Sequence, residues 1–175
     1  MRARTLLAVV AAALSALAYA APVSDVRNTP HNLSSSGTGA VRAQTETQVC
    51  VFCHTPHHGT SVDEGGVGVR TPLWNRRIPA GSTYTPYTSS SLDANVIQGQ
   101  LDVPGGSSKL CLSCHDGTLA IGNVNVLGGQ RNVAIGMTGT GAGGVMPPGE
   151  GTASGFTRNL GVDLTNDHPI SVTYT

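Results

Sequence analysis

Two stretches of this chain share a pattern with chemical meaning: Cys50-Val51-Phe52-Cys53-His54 and Cys111-Leu112-Ser113-Cys114-His115. Together they use all 4 cysteines. Cys-x-x-Cys-His is the attachment pattern of c-type haem. Two thiols three residues apart on one helical turn can form thioethers with the two vinyl groups of a porphyrin. The histidine that follows then falls beneath the iron as its proximal ligand. The expectation is two covalently bound haem c groups, one on Cys50, Cys53 and His54, the other on Cys111, Cys114 and His115. A structural zinc also uses Cys-x-x-Cys pairs. Here, however, 57 residues separate the pairs, far more than a zinc-ribbon gap, and each pair carries the trailing histidine. That histidine also argues against disulfides, the usual fate of exported cysteines.

Each iron then has a second axial position. The donors left are His31, His57, His58, His168, Met137 and Met146. A methionine ligand raises the reduction potential and a second histidine lowers it. His57 follows His54 by three residues and so leaves the chain on the proximal side of the first haem. A short connection cannot carry it around the porphyrin, so it is expected to bind the second haem or one in another subunit. His31, 19 residues before Cys50, has slack to cover the first haem from the far side. His168 precedes Pro169, which favours an extended backbone that can present the imidazole. His58 reads as a surface residue. Met146 stands beside a proline, a setting in which single-haem cytochromes c supply their axial methionine. No methionine lies between His54 and Cys111, which rules out a tandem arrangement for the first haem.

These side chains need elements to hold them. Thr45 to His54 is expected to form a short helix stopped by Pro56, and Ser107 to His115 a second one ending at Gly117. Residues 22–48 read as extended coil wrapping the first haem, and 59–72 as glycine-rich loop. Leu119 to Leu127 alternates apolar and polar residues and is the best strand candidate. Gly128 to Gly155 reads as a long loop covering a ligand or an interface. Residues 167–174 have β-like character. Trp74, Tyr84 and Tyr87 are expected to pack on haem faces or edges. The expected fold class is a coil-rich, cofactor-organised small multihaem cytochrome, with short helices at the motifs and little β structure.

The N-terminus bears on where such a protein works. Arg2 and Arg4 precede an apolar run from Leu6 to Leu17, and Ala18-Tyr19-Ala20 offers small residues at a cleavage site. Residues 1–20 are therefore expected to be a signal peptide, and 21–175 one dihaem domain of about 155 residues. The apolar run is too short to span a bilayer. A periplasmic or extracellular location follows, which agrees with where bacteria attach haem. Without the leader the chain has 8 basic against 10 acidic residues. Four haem propionates would make it more acidic still, which disfavours nucleic acid and anionic lipid as partners. Hydrophobic residues make up 39% of the chain but aromatics only 4%, so large apolar side chains for a core are scarce. Porphyrins would supply the missing apolar surface, at about 25 cal/mol per Å² buried.

Five short blocks extend the pattern: His31-Asn32-Leu33-Ser34, Cys50 to His57, Pro72-Leu73-Trp74-Asn75, Leu110 to Gly117, and Asp167-His168-Pro169-Ile170. In this order the chain resembles the doubled-CxxCH multihaem cytochromes c, including tetrahaem cytochromes that polymerise into extracellular filaments. The resemblance implies bis-histidine haems packed closely in a coil-rich fold, with His31, His57 and His168 as distal ligands. The surplus of histidines argues against an open iron site, so electron transfer to redox partner proteins or extracellular acceptors is expected rather than enzymatic catalysis, and the resemblance to filament proteins adds a possible homopolymer. The chain departs from the filament proteins in having two haem motifs and no more.

Overall fold

The computed structural model describes residues 25–60, 73–79, 83–90, 101, 103–149 and 158–172. The expected leader, its cleavage site, the loop over 61–72 and the end of the β-like segment lie outside the described residues. The elements in chain order are strand β1 (Arg42–Ala43), helix α1 (Gly106–His115) and strands β2 (Asn123–Leu127), β3 (Gln130–Ala134) and β4 (Met137–Thr138). Single turns of 3-10 helix lie at Val26–Asn28, Cys50–Phe52 and Ala142–Gly144.

The expected fold class is corrected on two points. α1 is the one α-helix among the described residues, and it carries the second motif alone. The first motif sits on the 3-10 turn Cys50–Phe52. The Glu46 carbonyl, which a helix over Thr45 to His54 would spend on Cys50 N–H, accepts instead from Ser35 N–H at 2.7 Å. The second correction is that two antiparallel sheets are present, β1 with β4 and β2 with β3. They take in residues read as coil and loop.

The β2–β3 hairpin is set by its turn. Gly128 and Gly129 have φ of 56° and 81°, and Leu127 pairs with Gln130 across them. A two-residue turn with both central residues at positive φ matches the twist of the strands, and glycine adopts it without strain. β1 and β4 meet across most of the chain, with Arg42 opposite Thr138 and Ala43 opposite Met137. Gln44 extends this contact, its N–H donating to Gly136 O at 2.9 Å.

The core forms two clusters. The larger joins Leu33, Val41, Ala43, Phe52, Ile121, Val124, Ile135 and Met146, and the inner cysteines Cys53 and Cys114 pack against it. Both motifs thus rest on one apolar cluster. The smaller holds Tyr84, Leu112 and Leu164. Among the described residues no helix is long and apolar enough to cross a membrane.

Candidate haem-attachment sites

In each motif the outer cysteine, Cys50 or Cys111, is exposed and the inner one, Cys53 or Cys114, is half-buried; all four are free thiols. Burial pushes the Cys53 thiol up to about 11, with Cys114 adding to the rise and Arg76 opposing it. Burial likewise raises Cys114, again against Arg76. Burial thus favours the neutral thiol at both inner sulfurs. Among the described residues, no three His, Cys, Asp or Glu side chains converge as a metal cage.

The first motif opens onto a groove of about 1100 Å³, large for a ligand site. Cys50 and His54 line it on one side, and Val126, Leu127 and Arg131 of the β2–β3 hairpin on the other. Val49, Val51 and Leu73 add apolar wall, while His57 and His58 lie at the same groove as His54. This loop is pinned to its neighbour: a Cβ on Gly59 would stand 2.7 Å from the Leu73 backbone. The His54 ring meets Trp74 edge-on, with centroids 5.8 Å apart and planes at 89°. Trp74 is buried, and its indole N–H has no acceptor among the described residues. An orphaned buried donor beside a motif histidine fits a bound group with an acceptor of its own.

The second motif is held at its C-terminal end. His115 Nδ1 is hydrogen-bonded to Arg158 O at 2.6 Å, so Nε2 is the ring nitrogen left for another partner. Asp116, the next residue, accepts from the Tyr84 hydroxyl at 2.6 Å and from Thr118 N–H at 2.9 Å. Burial and this contact to Asp116 raise the Tyr84 phenol, so it remains a donor. Opposite the His115 ring stands His31, with centroids 6.3 Å apart and planes at 82°. Two imidazoles in contact at the second motif are of the residue type that could hold haem iron.

The structure brings His31 to His115 and not to the first motif, where its slack had suggested it would go. His57 stays beside His54 and is not brought to His115. His168 is exposed on the C-terminal segment, in ring contact with neither motif histidine among the described residues. Met146 is buried in the larger cluster. Trp74 meets the His54 ring edge-on, and Tyr84 serves as a hydrogen-bond donor to Asp116.

One segment was missed by sequence reasoning. Trp74-Asn75-Arg76 clasps the two motifs together. Asn75 N–H donates to Cys53 O at 2.9 Å, and its side-chain amide donates to Val51 O at 2.6 Å. The same amide pairs with Val126 in both directions, at 2.8 and 2.9 Å. Arg76 reaches the other way and donates to Ser113 O, inside the second motif, at 2.9 Å. The block Pro72 to Asn75 stood out only as part of the family resemblance, and Arg76 carried no signal. No family model matches the chain, and no curated protein matches it.

Proposed function

We propose that this chain is an exported dihaem c-type cytochrome that passes single electrons between redox partners. The observation that carries this reading is the pair of Cys-x-x-Cys-His units, complete, free of disulfides and packed on one apolar cluster. When bound, haem would supply reversible one-electron chemistry. The chain's own part is to hold and insulate. Cys50, Cys53, Cys111 and Cys114 would anchor the porphyrins, and His54 and His115 would supply the proximal nitrogens. His31, in ring contact with His115, would be a ligand at the second site, and the hairpin walls the first. His57 and His168 are the remaining histidines that the family resemblance assigns as distal ligands.

The position of His31 favours a soluble carrier over a polymer. Its ring faces a histidine of its own chain, so the second site needs no ligand from a neighbour. Spectroelectrochemistry of the exported protein tests the function. Two reversible one-electron couples with low-spin spectra are expected. A high-spin ferric band with prompt cyanide binding would instead indicate a dihaem enzyme, and no visible absorbance would contradict the cofactor altogether.

A further inference from the structure

Two basic side chains are buried near the motifs: Lys109 on α1 and Arg76 between the motifs. Arg76 is 1% exposed, and its guanidinium is surrounded by backbone carbonyls. Nη1 donates to Ile121 O at 2.6 Å and Asn123 O at 3.1 Å. Nη2 donates to Ser113 O at 2.9 Å and Ala120 O at 3.1 Å. Nε, also buried, has no partner among the described residues. No carboxylate among the described residues pairs with this guanidinium.

That arrangement is costly. A buried charge is ordinarily paired, because leaving it without a counter-ion costs several kcal/mol. Arginine cannot escape by losing its proton. Packing alone does not call for a cation here, since an apolar side chain of similar volume is often tolerated or preferred at such a position. The placement shows where the charge acts. One side of the guanidinium grips the second motif through Ser113, and the preceding residue grips the first through Val51 and Cys53.

We propose that Arg76 is a positioning and potential-setting residue shared by both haems, its fixed charge favouring the ferrous state of each. The inference rests on the dihaem reading. Reduction adds one electron from the donor to an iron and lowers the charge of that site by one. A cation that cannot move or deprotonate stabilises the lower charge. Inside a protein, with an effective dielectric of about 20, a unit charge is expected to shift a neighbouring equilibrium by about tenfold. For a one-electron couple, tenfold is about 59 mV.

The test uses exported, haem-loaded protein carrying Arg76→Lys, Arg76→Gln or Arg76→Met, with haem content read by intact mass and potentials by optical titration. Lys keeps the charge but loses the planar fork; Gln and Met lose the charge. Both couples are expected to fall by about 59 mV, a tenfold change, in the Gln and Met variants, and to stay near the parent values in the Lys variant. A neutral variant that loads two haems and shifts neither couple overturns the proposal. So does a shift in one couple only, or an equal shift in the Lys variant. If neither neutral variant loads haem while the Lys variant does, Arg76 is a structural cation and the tuning role fails. Absence of haem from the parent protein would instead refute the dihaem reading itself.

Discussion

The chemistry proposed for the second site turns on two imidazoles. His115 is oriented by the Arg158 carbonyl at its Nδ1, and His31 faces it at 6.3 Å. Replacing His31 with Ala should leave both haems covalently attached, because the cysteines are untouched. One iron should then lose its low-spin signature and accept added imidazole or cyanide. His31→Met should keep a sixth ligand while raising that site's potential, since thioether donation favours the ferrous state. Magnetic circular dichroism in the near infrared separates these ligand pairs. An unchanged spectrum in the Ala variant would mean that another donor, such as His57 or His168, holds the position. The two motifs were legible in the sequence because their spacing is local. The contact of His31 with His115 was not, because it depends on where a segment far away in the chain lands. Arg76 was invisible for a different reason: arginine is rarely fully buried, and only the fold shows that this one is.

Between residues and molecule stand the elements that carry the motifs. α1 was legible where it lies, ending just before Gly117, whose φ of 71° suits the residue beyond a helix C-terminus. The helix expected at the first motif did not form: Ser35 takes the Glu46 carbonyl it would have used, and the turn that stands there instead is held by Asn75. Loss of that side chain should be felt at the first site. Asn75→Ala removes three buried hydrogen bonds, to Val51 O and in both directions to Val126. Buried groups left unpaired cost about 1–3 kcal/mol each, so a loss of about 3 kcal/mol in holoprotein stability is expected. Denaturant unfolding measures it, and a change under about 1 kcal/mol would contradict the clasp. The hairpin could have been read from the sequence. Val124-Asn125-Val126-Leu127 and Gln130 to Ala134 flank a Gly-Gly pair, a two-residue turn signal. The abundance of glycine downstream hid it, since one composition serves tight turns and long loops alike. β1 with β4 had no such local sign, because strands of two residues carry no periodicity.

At the scale of the whole molecule, two small apolar clusters and two ribbons of sheet make a modest framework. Aromatic residues are few, and the groove at the first motif stands open between Cys50 and the hairpin. This is the arrangement expected of a protein whose cofactors complete its core. The clasp, the shared apolar cluster and the buried Arg76 all bring the two motifs together, as the proposed electron passage would require. Everything proposed depends on whether the four cysteines carry porphyrin. The most direct measurement is the intact mass of the protein matured in an exporting, haem-attaching host, taken under denaturing conditions with thiol quantification. The account predicts the mass of the mature chain plus two haems, with no free thiol. A chain at its bare peptide mass, with four thiols or two disulfides, would contradict it.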